Sequence, residues 1–353
     1  MSELRYHPFL DQWVTVATHR QDRTFLPPDD YCPLCPTKPG GFPTEVPMSS
    51  YDIVVFENKF PSLQSNPANP EVQGTAFLPV RPSTGVCEVV CYSDLHDSTF
   101  ATTPFSQIRK LVRVWRDRFI DLASREYVEY VFVFENKGRE IGVTLSHPHG
   151  QIYAYPFIPP TLKLELESEK RYLDRTGRLL MCDWLDFELA STPRPHSPFP
   201  DESHGLHSGM AMEMDEGGRR VVWQNETFVA IVPFFARYPY ELYVTSKRHI
   251  RSLAGMSDRE MDDLAEILLV VTRKYDLLFG FSLPYMMVMH QEPAIPGYEF
   301  NWIHIEFYPP YRTAQKLKYL AGSEAGAGAF INDTLPEVTA KTLRDLDVGN
   351  VRD

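Results

Sequence analysis

One order of elements occurs twice in this chain, and it limits the fold more than any single motif. In the first half YDIVVFENKF (51–60), GVCEVVCYS (85–93), EYVFVFENKG (129–138) and GVTLSHPHGQIYAYPF (142–157) are apolar, β-branched or aromatic runs broken by turn residues, the pattern of strands. Between the second and third, Ile108, Leu111, Val112, Trp115, Phe119 and Leu122 recur at helical spacing, behind Thr103 as N-cap and Pro104 at the first helical position. The second half replays the order with ETFVAIVPF (226–234), ELYVTSKRH (241–249), a helix from Ser257 to about Phe279, then PYMMVMHQ (284–291) and NWIHIEFYPP (301–310). Ser257 and Glu260 form a capping box at that helix start.

His147-Pro148-His149-Gly150-Gln151 falls in line with His304-Ile305-Glu306-Phe307-Tyr308, so Glu306 is expected to be the counterpart of His149. Duplication followed by divergence accounts for this. The expected fold is α+β, with two tandem repeats, each an antiparallel sheet with packed helices. The expected division is 1–185, a linker at 186–220, and 221–353. Within the linker, residues 191–218 are rich in Pro, Gly and charge without a period, and His196, His204 and His207 read there as solvated loop histidines.

Composition narrows the function. A formal net charge of -12, from 47 acidic and 35 basic residues, argues against a nucleic-acid partner, which needs a basic surface. The opening MSELRYHPFLDQWVTV lacks a basic stretch followed by an apolar core, and no run approaches the roughly 18 apolar residues of a membrane span. A cytoplasmic protein with no membrane contact is expected. Five cysteines, Cys32, Cys35, Cys87, Cys91 and Cys182, are too few and odd in number for a secreted disulfide framework, which leaves metal binding or free thiols. Cys32-x-x-Cys35 has the spacing of the thiolate half of a structural zinc site, whereas Cys87 and Cys91 read as small core residues on one strand.

The pair His147 and His149 stands one residue apart, and on a strand both rings would face one side. This motif, read with CPLC (32–35), FEN (56–58), FENKG (134–138), RYPYE (237–241), FYPP (307–310) and KYLAGSE (318–324), resembles the transferase branch of the histidine-triad superfamily, and within it the galactose-1-phosphate uridylyltransferase family. The resemblance covers most of the chain and implies UMP exchange between UDP-glucose and galactose 1-phosphate by a homodimer, in galactose metabolism. It implies His149 as the nucleophile that takes the uridylyl group, with Gln151 holding phosphate oxygens. Glutamine does not titrate, and sugar phosphates leave without a proton.

By the same resemblance Cys32, Cys35, His96 and His147 bind one zinc ion, and Arg20, Arg23, Asn58, Asn136 and Thr144 contact ribose, phosphates or nearby backbone. Lys318, Ala321 and Glu324 contact the sugar, reaching across a dimer interface. Family members carry a second metal on one glutamate and three histidines; the matching positions here are Glu165, His290, His304 and Glu306. Such a set suits Fe²⁺, Zn²⁺ or Mn²⁺, or else forms a hydrogen-bonded polar cluster. A carboxylate at 306 confines catalysis to the first half. Lys59, Ser323 and Phe330 depart from the family's acidic residue, tyrosine and glutamine, which bears on base and hexose choice. Competing readings are an ADP-sugar or dinucleoside-polyphosphate phosphorylase or adenylyltransferase, and a non-catalytic zinc-stabilised nucleotide-binding protein.

Overall fold

The computed structural model describes residues 2–24, 31–190 and 219–352, with side chains through Gln21 in the first segment. The three linker histidines lie outside the described residues. In chain order the elements that position the site are β1 (Ser2–His7), β2 (Gln12–Ala17), β3 (Val54–Glu57), β4 (Val80–Pro82), β5 (Val86–Cys91), α1 (Phe105–Ala123), β6 (Tyr130–Lys137) and β7 (His149–Tyr155). They continue with α2 (Pro160–Thr176), α3 (Leu180–Leu189), β8 (Val221–Gln224), β9 (Phe228–Ile231), β10 (Leu242–Ser246), α4 (Asp258–Phe279), β11 (Tyr285–His290), β12 (His304–Tyr308) and α5 (Pro336–Arg344).

Each repeat contributes an antiparallel set of strands, and the two sets are joined edge to edge. A nine-stranded sheet runs β3-β5-β7-β6-β11-β12-β10-β9-β8, while β2-β1-β4 form a small separate sheet. The join is the antiparallel pair β6 and β11, with Phe134 opposite Val288. Pairing the repeats this way removes two open strand edges that would otherwise expose unpaired N–H and C=O groups.

Alternation along the strands then decides which residues face chemistry. Ile108, Leu111 and Trp115 of α1 and Leu264 and Leu268 of α4 pack with Val131, Val133, Ile152, Ala154 and Ile305 in one apolar core that runs under both halves. The intervening residues, including Gln151 on β7 and Glu306 on β12, therefore face the opposite side of the sheet. The capping box of α4 forms, with Ser257 N–H donating to Glu260 Oε2 at 2.8 Å.

Several boundaries differ from the sequence expectation. The run 142–157 becomes a strand only from His149, because Pro148 has no N–H to offer a ladder; the segment before it is loop. His147 and His149 therefore do not share a strand face. Helix α1 begins at Phe105 with Pro104 as its cap, and the Thr99–Thr102 pair caps the short 3-10 turn before it. Helices α2 and α3 fill a stretch with no expected element; α2 carries Glu165 and Glu169, separated by one turn, onto the sheet. Cys87 and Cys91 are buried in separate apolar clusters, as expected of core residues.

The sheet also explains the glycine of HPHGQ. A Cβ on Gly150 would lie 2.3 Å from the Tyr92 hydroxyl and 3.1 Å from the Phe134 carbonyl. Tyr92 has little room to yield, since its ring packs edge-on against Phe100 and Trp115 and its hydroxyl donates to Glu135 at 3.1 Å. Glu135 accepts a second bond, also 3.1 Å, from Tyr285 of the other repeat, and burial pushes its carboxyl up to about 7. Gly150→Ala is expected to destabilise the protein by about 1–3 kcal/mol, the usual penalty for overpacking. Urea unfolding measures this. Adding Tyr92→Phe, which removes the clashing oxygen, should recover part of the loss; an unchanged midpoint for Gly150→Ala alone would refute the account.

Candidate active site and metal centres

Cys32, Cys35, His96 and His147 come together from three separate loops, with all four ligand atoms within 4.8 Å of one another. Cys35 Sγ lies 3.3 Å from His96 Nδ1 and 3.5 Å from His147 Nδ1. Ligands around tetrahedral zinc stand about 3.3–3.8 Å apart, given its bonds to sulfur and nitrogen, so these separations fit the ion. The far side of His147 fixes its tautomer. Nε2 lies 2.9 Å from the Ser93 carbonyl, which only accepts, so Nε2 carries the proton and Nδ1 turns its lone pair to the thiols. The Tyr51 hydroxyl, 2.7 Å from the same Nε2, donates to the Leu34 carbonyl at 3.2 Å.

Electrostatics agree with a cation-binding role. Burial lowers His147 to about 4, which keeps the ring neutral as a ligand must be. Burial and the neighbouring Cys32 push the Cys35 thiol up to about 12, a state that a divalent cation between the sulfurs would reverse.

His149 opens β7 beside this cluster. Its Nδ1 is 2.7 Å from the His147 carbonyl and must donate to it, so the lone pair sits on Nε2. The side chain lines a cleft of about 430 Å³, shared with Gln151, Asn58, Asn136 and Thr144. Gln151 Oε1 accepts from Tyr153 at 3.2 Å and from Asn58 at 3.5 Å, which leaves its amide N–H groups as the donors. An imidazole held at Nδ1 by a carbonyl and fixed amide donors share one cleft, an arrangement that suits attack on phosphorus.

The second cluster, Glu165, His290, His304 and Glu306, also has its ligand atoms within 4.8 Å. Glu165 Oε2 lies 2.8 Å from His290 Nδ1 and Oε1 lies 3.3 Å from His304 Nε2; Glu306 Oε1 is 3.4 Å from His304 Nε2. Against burial, which alone would lower it, the Glu165 and Glu306 carboxylates hold His304 up at about 9. The set fits a divalent cation, and without one His304 bears the compensating charge.

Here the structure corrects the expected correspondence of the repeats. His304 opens its strand as His149 does, and its Nδ1 lies against the carbonyl two residues back, Trp302, at 3.1 Å. By backbone geometry His304, not Glu306, is the counterpart of His149. Its Nε2 is buried between two carboxylates, so the second half is still unsuited to nucleophilic attack.

The remaining expected residues divide. Arg20 does not line the cleft; it donates to the Phe60 carbonyl at 2.9 Å, bracing the segment that carries Asn58. The side chain of Arg23 lies outside the described residues. Lys318, Ala321 and Glu324 form a cluster of their own, with Lys318 Nζ 3.4 Å from Glu324 Oε1 and Ala321 N–H donating to Glu324 Oε2 at 3.2 Å. None of the three lines the His149 cleft. Cleft residues that lie outside the quoted motifs include Tyr31, Glu45 and the loop Ile141–Val143. Leu34 lies within CPLC itself and enters the cleft with that motif. Among the described residues no helix is long and apolar enough to cross a membrane.

Comparison with known proteins gives a consistent result. The family model for the N-terminal domain of galactose-1-phosphate uridyl transferase matches residues 1–159, and that for its C-terminal domain matches residues 165–352. A galactose-1-phosphate uridylyltransferase of Thermotoga maritima is 39% identical over 352 residues, covering 99% of each chain. The one of Saccharomyces cerevisiae is 32% identical, covering 98% of this chain and 94% of its own. A solved uridylyltransferase structure superposes with a TM-score of 0.79 at 30% identity, covering 97% of both chains. An ADP-glucose phosphorylase from Arabidopsis thaliana, with a TM-score of 0.69 at 23% identity and 99% and 100% coverage, shares the fold. The chain belongs to the galactose-1-phosphate uridylyltransferase family.

Proposed function

We propose that the protein exchanges UMP between UDP-glucose and galactose 1-phosphate, releasing glucose 1-phosphate and forming UDP-galactose, in galactose metabolism. The observation that carries this reading is the tautomer lock on His149 within the cleft that holds Gln151. In the first step His149 Nε2 attacks the α-phosphorus; the N–P bond forms as the P–O bond to glucose 1-phosphate breaks. The charge that the ring acquires is drawn off through Nδ1–H toward the His147 carbonyl. In the second step a phosphate oxygen of galactose 1-phosphate attacks the same phosphorus and the N–P bond breaks. Gln151 donates to the non-bridging oxygens in both steps, and no general acid is required: glucose 1-phosphate leaves as a stable anion in the first step, and His149, with its proton kept on Nδ1, leaves as a neutral imidazole in the second. Asn58, Asn136 and Thr144 serve the ribose and phosphates, and Arg20 holds the neighbouring backbone that carries Asn58.

Zinc is the cation we assign to Cys32, Cys35, His96 and His147, a closed set of two thiolates and two imidazoles whose role is structural. Fe²⁺ or Zn²⁺ suits Glu165, His290, His304 and Glu306. Lys318, Ala321 and Glu324 act on the sugar of the partner's cleft in a cytoplasmic homodimer, which accounts for their distance from the cleft of their own chain.

Two outcomes are expected. With no galactose 1-phosphate present, the enzyme should move labelled glucose 1-phosphate into UDP-glucose, as a ping-pong scheme requires. Gln151→Ala should slow this exchange about 10²–10³-fold, the range for a lost oxyanion donor. Exchange with ADP-glucose in place of UDP-glucose would transfer the reading to the adenylyl branch, and no exchange with either would refute it. Separately, Cys35→Ser should lose one equivalent of zinc by elemental analysis and melt earlier; full zinc content in that variant would remove the assignment.

A further inference from the structure

A carboxylate faces the cleft that the proposed function fills with a polyanion. Glu45 is the one acidic residue among the described residues lining the His149 cleft. It pairs with Lys59, also a lining residue, with Nζ to Oε1 at 2.9 Å. A negative group in a site for two phosphates opposes binding unless it meets a neutral part of the ligand that offers hydrogen-bond donors. In a nucleoside diphosphate sugar those parts are the base N–H, the ribose diol and the hexose hydroxyls.

Placement selects among them. Glu45 belongs to the wall of the cleft built on the CPLC loop: its N–H donates to the Pro33 carbonyl at 2.9 Å, and Thr44 Oγ1 donates to the Cys35 carbonyl at 2.6 Å. Leu34, Phe56 and Val89 supply the apolar surface of the same cleft, where the flat faces of a base would be desolvated. The ribose adjoins the base, while the hexose lies beyond both phosphates. A vicinal diol offers two O–H donors, which match the two oxygens of one carboxylate; a base N–H offers a single donor.

We infer that Glu45 recognises the 2′,3′-diol of the ribose, with Lys59 holding the carboxylate in position and offsetting its charge against the phosphates. This rests on the proposed function only in taking the ligand to be a nucleoside diphosphate. It gives the cation cluster a second consequence, since the loop of Cys32 and Cys35 carries the backbone that fixes Glu45.

The test is calorimetric titration of the full, zinc-loaded protein with UDP, 2′-deoxy-UDP and 3′-deoxy-UDP, and with the corresponding adenosine diphosphates, none of which needs turnover. Wild type should bind each deoxy nucleotide about 10–100-fold more weakly than its ribose parent, the range for hydrogen bonds to a charged group. Glu45→Gln, checked for unchanged zinc content and melting temperature, should bring the ribose nucleotides down toward the deoxy level while leaving the deoxy affinities near wild type. Should Glu45→Gln lose zinc, the wild-type ribose preference and the Lys59→Met variant, expected to weaken ribose binding more than deoxy binding, decide the matter. The inference is overturned if wild type shows no ribose preference or if Glu45→Gln keeps it. Because these are binding measurements, they can fail while label exchange succeeds, and the reverse.

Discussion

The 2.7 Å contact between His149 Nδ1 and the His147 carbonyl is the interaction on which the rest of this site depends. An imidazole with its proton on the wrong nitrogen has no lone pair to give phosphorus. One peptide carbonyl settles the matter, and that carbonyl belongs to a residue whose own side chain is held among two thiols and another imidazole. In the proposed mechanism the Cys32–Cys35–His96–His147 cluster would thus act on catalysis without touching substrate. It fixes His147, the backbone of His147 fixes the tautomer of His149, and Gly150 lets the strand run flush against Tyr92 so that His149 and Gln151 reach the cleft together.

The second repeat uses the same scaffold for a different end. His304 keeps the strand-opening position and the backward contact to a carbonyl, but α2 lays Glu165 against its Nε2. From this cluster a polar line leads outward: Arg237 reaches Glu306 Oε2 at 3.0 Å and the Tyr308 hydroxyl at 2.7 Å, with its guanidinium 5.5 Å from the Phe330 ring. Asn332 donates to the Ala236 carbonyl at 2.9 Å, tying the same segment down. A buried charge cluster that does not line the His149 cleft is thus connected, through Arg237, to the chain that follows Lys318 and Glu324.

Much of this was legible before any coordinates. Apolar periodicity marked α4 to its last residue, and every strand of the nine-stranded sheet except β8, because one buried face leaves a period that sequence records directly; β1, β2 and β4 were not expected. Both four-residue metal sets followed from motif resemblance, and the structure brings each set together. What sequence did not reveal was contact across the chain. No local pattern tells that β6 and β11 join two sheets into one, that α2 would form between repeats, or that Glu45 would meet Lys59. The pairing of His149 with Glu306 failed for a related reason. HPH and HIE align well as letters, whereas the strand start and the backbone hydrogen bond pair His149 with His304.

The central claim is that one imidazole nitrogen carries the uridylyl group. Incubating the protein with UDP-glucose alone, followed by intact-mass and peptide analysis, tests it most directly. The account predicts one added uridylyl group on the peptide containing His149, stable in base and lost in acid as a phosphorus–nitrogen bond should be, and absent from His149→Ala. A uridylyl group retained by His149→Ala, or an adduct that survives acid and breaks in base, would contradict it.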